Sequence, residues 1–306
     1  MGKSYQVNLE NSRKESLRRT VGLLFEQMRP KQWSKNLLVF AALLFSFPNV
    51  TTDMIVHSIF GFFLFSLVSG TVYILNDFID READRQHPDK RNRPMASGAL
   101  NPYVALFFGA IVLLFSIIMA FRFNGAFGAL LTLYFVNNVA YSFRLKHVVI
   151  VDIMVIASGF VLRAIGGALV IEVPFTPWFL ICTMLLALFL AISKRRHELM
   201  LLQENKTGHR KVLERYNADL LNQLNSIVTS ATIISYALFT FTSGRTLHLM
   251  WTIPFVLYGI FRYLYLIHVE GKGGKPDKLL FEDKHILFTV ILYALTVMII
   301  LNYFER

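Results

Sequence analysis

The chain has 306 residues, of which 55% are hydrophobic and 17% are charged, and its mean hydropathy is +0.49. A soluble domain of this length needs more charged surface than that. The formal net charge of +11 could indicate a nucleic-acid partner. However, most of the positive charges lie in the loops of one membrane side, where topology and anionic headgroups account for them. We therefore predict an all-α, polytopic membrane protein that binds no nucleic acid.

The first 28 residues are polar and basic, and they lack the separate apolar core of a cleaved signal peptide. Four apolar side chains recur there at helical spacing: Leu17, Val21, Leu24 and Met28. This pattern favours a basic amphipathic helix on the inner membrane surface, and a disordered arm is the alternative. Residues 29–306 are predicted to form a single transmembrane domain.

Nine apolar stretches follow, and we predict about nine membrane helices from them. They cover residues 36–48, 54–75, 102–121, 125–143, 148–171, 177–193, 224–243, 246–268 and 285–303. The intervening loops alternate between short, nearly uncharged ones and long ones that, with the N-terminal segment, carry 26 of the 31 lysines and arginines. The positive-inside rule then places the N-terminus and the long loops on the cytoplasmic side of the cell (inner) membrane.

The first apolar stretch is unusually short. Its core, 37–47, has 11 residues and spans only about 16 Å as a helix, so we predict that the helix begins near Pro30. Lys31, Lys35 and Asn36 would then lie toward membrane depth, where polar groups mark a ligand site or snorkel to the interface. Spaced four apart, Lys31 and Lys35 would share one face of an α-helix.

The second apolar stretch continues into an acidic segment. Asn76, Asp80 and Asp84 are spaced i, i+4, i+8 and form one stripe on a helix, with Asp77 beside it. Close carboxylates repel one another unless a cation lies among them, and oxygen ligands suit Mg²⁺, which typically takes one or two carboxylates plus phosphate oxygens. The stripe therefore predicts a magnesium site, against the alternative of a solvated charged loop.

Basic side chains follow this stripe directly. Lys90, Arg91 and Arg93 would be available to phosphate oxygens that the metal does not cover. The combination of a carboxylate stripe and adjacent cations predicts binding of a phosphorylated substrate at the cytoplasmic face.

This segment resembles the first motif of the UbiA prenyltransferase superfamily, nine-helix intramembrane enzymes that bind a diphosphate through Mg²⁺ in a cavity open to the cytoplasm. Five motifs in order narrow the resemblance to one branch, the decaprenyl-phosphate phosphoribosyltransferases. They are residues 29–36 (RPKQWSKN), 76–98 (NDFIDREADRQHPDKRNRPMASG), 141–152 (Tyr-Ser, Leu-Lys and Asp152), 159–163 (GFVLR) and 194–198 (KRRHE).

The loop after the sixth stretch departs from the general superfamily pattern. Aromatic-acceptor prenyltransferases usually carry a second Asp-rich motif there, whereas this chain has the cations Lys194, Arg195 and Arg196. Lysine and arginine contact phosphate directly, without a second metal, which fits a substrate pair with several phosphates. The alternative is that these residues only anchor the helix on the cytoplasmic side.

Three further residues complete the predicted site. Tyr141 and Lys146 flank the short connection after the fourth stretch and could close the cavity opposite the acidic stripe. Asp152 lies just inside the next helix, where an unpaired carboxylate is costly, so it is interpreted as a partner of the metal, of a ribose hydroxyl or of Lys146. Arg163 is interpreted as structural or as lining a lipid path.

The resemblance implies transfer of 5-phosphoribose from phosphoribosyl diphosphate (PRPP) to a polyprenyl phosphate, with Mg²⁺ as cofactor, and it makes a homotrimer plausible. The predicted catalytic residues are Asp80, Asp84, Lys35 and Lys146, with Asn76 and Asp77 as further metal ligands. The predicted substrate-binding residues are Lys31, Asn36, Lys90, Arg93, Tyr141, Asp152, Lys194, Arg195 and Arg196. The alternatives are a conventional prenyltransferase acting on a prenyl diphosphate and an aromatic or other acceptor, and a transporter of an anionic lipid.

Overall fold

The computed structural model describes residues 18–88, 90–204, 211–272 and 276–305, and the described part of the chain is helical without β-strands. Eight of its helices are long and apolar enough to cross a membrane. They are α1 (Thr52–Gln86), α2 (Pro102–Phe123), α3 (Gly125–Phe143), α4 (Val151–Val170), α5 (Pro177–Glu204), α6 (Ala218–Thr242), α7 (Ile253–His268, preceded by a 3-10 turn Leu247–Thr252) and α8 (Lys284–Phe304). The predicted all-α membrane architecture is confirmed.

The helices pack mainly against their neighbours in the chain, and α1 contacts α2, α3 and α4. Large apolar side chains point outward along α2, where Phe107 is 71% exposed and Leu114 is 63% exposed. Such outward apolar faces match a hydrocarbon environment. The chain is therefore a multi-pass membrane protein.

The first apolar stretch does not form a long helix. The chain begins a 3-10 helix at Pro30, as predicted, but this helix ends at Phe40 and is followed only by the short α-helix Ala41–Leu44. The expected count of about nine spans is therefore not confirmed in the described ranges. The prediction that Lys31 and Lys35 share one helix face is also wrong. A 3-10 helix repeats every three residues, so residues four apart lie on different faces.

Contacts with two membrane helices hold this 3-10 helix in place. Asn36 is fully buried, and its side-chain nitrogen donates to Ser66 Oγ at 3.0 Å and Ser69 Oγ at 3.3 Å on α1. Its oxygen accepts from Arg163 Nε of α4 at 2.7 Å. Gly167, one turn farther along α4, lies directly against the carbonyl of Val39. Tertiary contacts thus determine the path of the helix.

Gly167→Ala is expected to destabilise the fold, because the new methyl group would collide with the Val39 carbonyl, a backbone atom that cannot rotate away. We expect a loss of about 1–3 kcal/mol, the usual cost of overpacking, seen as a lower thermal unfolding midpoint in detergent. Gly259→Ala on α7 is the matched control, since its methyl group would make only an ordinary contact with Thr289. Equal midpoints for both variants would contradict the close approach.

Residues 18–27 form a helix that enters the 3-10 helix through Arg29. Leu24 and Met28 are buried against the protein, while Val21 and Phe25 are 58% and 54% exposed. The helix thus uses one apolar edge to pack on the bundle and offers the other outward, as an interfacial helix does. Leu17 and the rest of the predicted N-terminal segment lie outside the described residues.

Candidate active site

The acidic stripe is carried by an extension of α1 beyond membrane length. α1 has 35 residues and is therefore about 52 Å long, against about 30 Å of hydrocarbon. Thr51 caps its start by accepting a hydrogen bond from the Met54 amide. The helix ends at Gln86 because the residue before Pro88 is driven out of helical conformation. Asn76, Asp80 and Asp84 therefore lie on one face of an unbroken helix.

Cations from two loops face two of these carboxylates. Lys146, in the 3-10 turn between α3 and α4, is buried and its Nζ lies 2.8 Å from Asp80 Oδ1. Asp84 is nearly buried, and its Oδ2 accepts from Arg93 Nη1 at 2.5 Å, with Lys90 Nζ at 3.9 Å from Oδ1. The structure therefore places Lys146, Lys90 and Arg93 against the stripe.

Asp77 has a different set of partners. Its Oδ2 accepts from Gln27 Nε2 at 2.5 Å, and its Oδ1 accepts from Arg29 Nη2 and from Arg93 Nη1, the latter at 3.0 Å. Its side chain is only 2% exposed. Sequence reasoning gave no role to Gln27 or Arg29. Arg29 belongs to one of the motifs, but nothing in the sequence indicated its partner 48 residues away.

A cavity of about 250 Å³ adjoins Asp77. It lies between the end of the N-terminal helix and the loop that follows α1, and its lining includes Glu26, Arg29, Asn92 and Arg93. Two arginines therefore border a space beside the acidic stripe. This arrangement suits an anionic group that approaches the carboxylate helix together with a bound cation.

The donor set of the stripe fits a magnesium ion shared with a substrate. Among the described residues, no three carboxylate, histidine or cysteine side chains converge into a complete metal site. Asp80 and Asp84, with the amide of Asn76 on the same face, supply two carboxylates and one neutral oxygen. Mg²⁺ commonly binds through one or two carboxylates and completes its shell with phosphate oxygens and water, so an incomplete protein set is what such a site requires.

The basic cluster at the end of α5 divides into a buried and an accessible part. Arg195 has a side chain only 1% exposed; its Nε donates to Asp152 Oδ2 at 2.6 Å, and Nη1 donates to Glu198. Its Nη2 donates to Tyr141 Oη at 3.1 Å. Asp152 is also fully buried. Three predicted substrate-binding residues, Arg195, Asp152 and Tyr141, are thus joined in one hydrogen-bonded network.

Tyr216 completes this network and was missed in the sequence. Its hydroxyl donates to Asp152 Oδ1 at 2.7 Å and accepts from the Ile150 amide at 2.7 Å. Burial, helped by the bond to Asp152, raises the pKa of Tyr216, although the Ile150 amide opposes this shift. The hydroxyl therefore remains a donor to the carboxylate. Because Tyr216 lies 64 residues from Asp152, no local pattern could have identified the pair.

Lys194 and Arg196 remain accessible to a ligand. Lys194 has a side chain 39% exposed, with its Nζ 4.0 Å from Glu198. Arg196 is half-buried, and its Nε donates to Asn222 Oδ1 of α6 at 2.6 Å. These two residues flank the buried Arg195 in the sequence, and they carry the accessible positive charge of the cluster near the C-terminal end of α5.

The predicted residues of the first stretch lie at two depths. Lys31 is exposed and Lys35 is half-buried in the first turns of the 3-10 helix. Asn36 is fully enclosed by Ser66, Ser69 and Arg163. Arg163 also donates to Gly159 O and Tyr134 Oη, so the structural interpretation of Arg163 agrees with its contacts. Asn36 supports the helix that carries the two lysines.

Known sequences match this chain over most of its length. A profile of the UbiA prenyltransferase family matches residues 36–302. The decaprenyl-phosphate phosphoribosyltransferase of Mycolicibacterium smegmatis is 31% identical over 282 residues, which is 85% of this chain and 86% of that protein. The enzyme of that name from Corynebacterium glutamicum is 31% identical over 287 residues, covering 90% and 85% of the two chains.

Solved structures share the fold at lower sequence identity. A UbiA homologue from Archaeoglobus fulgidus bound to GPP and Mg²⁺ superposes with a TM-score of 0.70 at 19% identity, covering 90% of this chain and 99% of that one. The same homologue bound to DMAPP and Mg²⁺ gives a TM-score of 0.69 at 19% identity, with 91% and 99% coverage. At this identity the likeness shows the fold alone.

Proposed function

Because this chain belongs to the UbiA prenyltransferase family, we propose that it is a Mg²⁺-dependent phosphoribosyltransferase of the cytoplasmic membrane face. It transfers 5-phosphoribose from PRPP to a polyprenyl phosphate, of decaprenyl phosphate type, and releases pyrophosphate. The observation that carries the proposal is one carboxylate stripe with cations facing it from two loops. A basic cluster ends α5, at the place where a second acidic motif would serve a prenyltransferase. The names of the relatives support the substrate pair.

Asp80 and Asp84, with Asn76, would hold the metal. When bound there, Mg²⁺ supplies Lewis-acid neutralisation of the charge that develops on the leaving diphosphate. Lys146, paired with Asp80, orients that carboxylate and adds positive charge beside it. The sequence also predicted Asp77 as a ligand, but Asp77 differs from the other carboxylates in accepting hydrogen bonds from three donors.

The cations outside the stripe bind and orient phosphates. Arg93 and Lys90 lie on the diphosphate side of the site, beside Asp84. Lys194 and Arg196 are accessible at the end of α5 and would take the 5-phosphate or the lipid phosphate. Lys31 and Lys35 would serve the remaining anion from the 3-10 helix. Fixed cations around a multiply charged pair offset its repulsion and align it for reaction.

The transfer needs no strong general base. The lipid phosphate is already an anionic nucleophile: one of its oxygens bonds to C1 of the ribose as the bond from C1 to the diphosphate oxygen breaks. The electron pair departs with pyrophosphate, and attack from the opposite face inverts the anomeric carbon. Arg195 donates to the Tyr141 hydroxyl oxygen and so fixes the position of that side chain.

The orientation follows from the distribution of charge. The positive-inside rule places the N-terminus, the stripe and the long basic loops in the cytoplasm, where PRPP, a soluble anion, would reach the site. The lipid tail would leave laterally between helices rich in phenylalanine and leucine. We also propose a homotrimer, as the family resemblance implies; the mass of the detergent-solubilised particle tests it.

We expect Lys194→Gln and Arg196→Gln to raise the KM for PRPP or for the lipid phosphate by about tenfold each, as loss of one charge-assisted phosphate contact predicts. The substrate whose KM rises identifies which phosphate the cluster binds. Arg215→Gln is the matched control, because Arg215 is an exposed cation after the same helix. Unchanged KM values for both substrates in both variants would remove the cluster from the binding site.

The proposed function is tested with purified full-length protein in detergent, a polyprenyl phosphate and Mg²⁺. We expect pyrophosphate release only when PRPP and the lipid are both present, and none after addition of EDTA. A parallel reaction supplies a prenyl diphosphate and an aromatic acceptor. Turnover of that pair, with none of PRPP, would replace the proposal with conventional prenyl transfer within the same family.

A further inference from the structure

We propose that Asp77 is a positioning residue that holds Arg29 and Arg93 toward the substrate phosphates, and that it is not a metal ligand. This inference deepens the proposed function and rests on it. It separates Asp77 from its neighbours on α1, although all four polar residues lie within nine positions of the same helix.

The partners of the carboxylates differ in kind. Asp77 accepts three hydrogen bonds from an amide and two guanidinium groups, and a carboxylate offers only about four acceptor positions. Its side chain is 2% exposed, whereas that of Asp80 is 32% exposed and has Lys146 as its described partner. A metal could reach Asp80 from the open side. The side chain of Asp84 is only 4% exposed, but it accepts a single described hydrogen bond, from Arg93. At Asp77 a metal would have to displace three donors, two of them charged.

Arg93 contacts both Asp77 and the proposed metal ligand Asp84. Its Nη1 donates to Asp77 at 3.0 Å and to Asp84 at 2.5 Å. Within the described ranges, its Nε and Nη2 have no hydrogen-bond partner, and its side chain is 26% exposed. A guanidinium held along one edge presents its other N–H groups in a fixed direction, which suits bidentate phosphate binding.

Arg29 is delivered to Asp77 by an unusual backbone turn. Its φ of 53° and ψ of 63° are left-handed, a conformation that non-glycine residues adopt only where surroundings enforce it. The preceding helix is fixed by Met28, whose side chain fills the space where a methyl group on Gly70 would lie, 2.7 Å away. Gln27 and Arg29 consequently converge on one carboxylate, and the Arg29 guanidinium lies 4.9 Å from the centre of the Tyr73 ring.

The two arginines then border the cavity of about 250 Å³ described above, with Asp77 at its wall. Without the carboxylate, two like charges near one another would repel and their side chains would lose a common direction. The role of Asp77 is therefore to hold the guanidinium groups of Arg29 and Arg93 at the cavity, and the role of Asp80 and Asp84 is to hold the metal.

The test compares Asp77→Asn, Asp80→Asn and Asp84→Asn in the full chain. Mn²⁺, which prefers the same oxygen ligands as Mg²⁺, reports metal binding by electron paramagnetic resonance without any turnover. We expect Asp77→Asn to leave the Mn²⁺ dissociation constant within about twofold, and the other two substitutions to raise it by about tenfold or more. Asparagine keeps the shape of aspartate but turns an amide N–H toward donors, so Asp77→Asn should raise the KM for PRPP by about tenfold.

Two results would overturn the proposal: a loss of Mn²⁺ affinity in Asp77→Asn equal to that in Asp80→Asn, or an unchanged KM for PRPP. If neither Asp80→Asn nor Asp84→Asn alters Mn²⁺ binding, the proposed metal site is refuted. The positioning role of Asp77 is then tested by a separate measurement. That measurement is a double-mutant cycle on the thermal midpoint with Arg29→Gln. Non-additive changes in the thermal midpoint would support the proposed contact between Asp77 and Arg29, and additive changes would contradict it.

Discussion

Asp80→Asn is expected to lower the transfer rate by about 10³-fold, the largest effect of any single substitution in the site. The change removes one of the two carboxylates proposed for the metal. It also takes the negative charge away from the described partner of the buried Lys146, whose Nζ lies 2.8 Å from Asp80 Oδ1. Metal affinity and leaving-group neutralisation would fall together. The measurement is kcat/KM for PRPP across a Mg²⁺ titration, in which the variant should require far more metal.

The control for this substitution lies on the same helix. Glu82 has a side chain 66% exposed and pairs only with Arg81 and Arg85 among the described residues. Glu82→Gln removes the same formal charge from α1, yet we expect a rate within about twofold of the wild type, because exposed ion pairs contribute little. If Asp80→Asn kept a near-normal rate and Mg²⁺ requirement, Asp80 would not be a metal ligand.

Arg195→Met is expected to produce the largest loss of stability. Arg195 and Asp152 have side chains 1% and 0% exposed, and breaking a buried pair from one side typically costs about 3–5 kcal/mol. The substitution would leave Asp152 buried without its ion-pair partner, and Tyr216 would be its one remaining side-chain donor among the described residues. We expect poor recovery from detergent extraction and a much lower thermal midpoint.

Two further variants provide smaller expected losses of stability for comparison with Arg195→Met. Tyr216→Phe removes one donor to the same carboxylate and leaves the ion pair, so it should cost about 1–2 kcal/mol. Arg122→Met, at an exposed cation on the opposite membrane side, should leave the midpoint almost unchanged. A ranking in which Arg195→Met is no worse than Arg122→Met would show that the buried network does not stabilise the fold.

The long membrane helices could be predicted because each is dictated by a local property, a run of apolar residues of sufficient length. The extension of α1 past the apolar stretch was also predicted, because the spacing of the acidic stripe indicates a continuing helix. The stretch after Pro30 was different. Its 3-10 geometry depends on Asn36 meeting α1 and α4, and such partners are invisible in a hydropathy profile.

The site could be predicted in its residue types more than in its pairings. The stripe, Lys146 and the α5 cluster were found from spacing and charge, and the structure brings Lys146 to Asp80. The Asp152–Arg195 pair joins residues 43 positions apart, and Asp152 had instead been considered a partner of the metal, of ribose or of Lys146. The position of a charged residue along its own helix can be predicted from the sequence. Its partner on another helix depends on how the helices pack, which local patterns do not show.

The most direct test of the account is mass spectrometry of the lipid formed from PRPP labelled with ¹³C in the ribose and a polyprenyl phosphate, with purified protein and Mg²⁺. The proposed phosphoribosyl transfer predicts a lipid that gains one labelled ribose still carrying its 5-phosphate, together with one equivalent of pyrophosphate. An unlabelled lipid under these conditions, with a prenyl group transferred to an acceptor when a prenyl diphosphate is supplied, would contradict it.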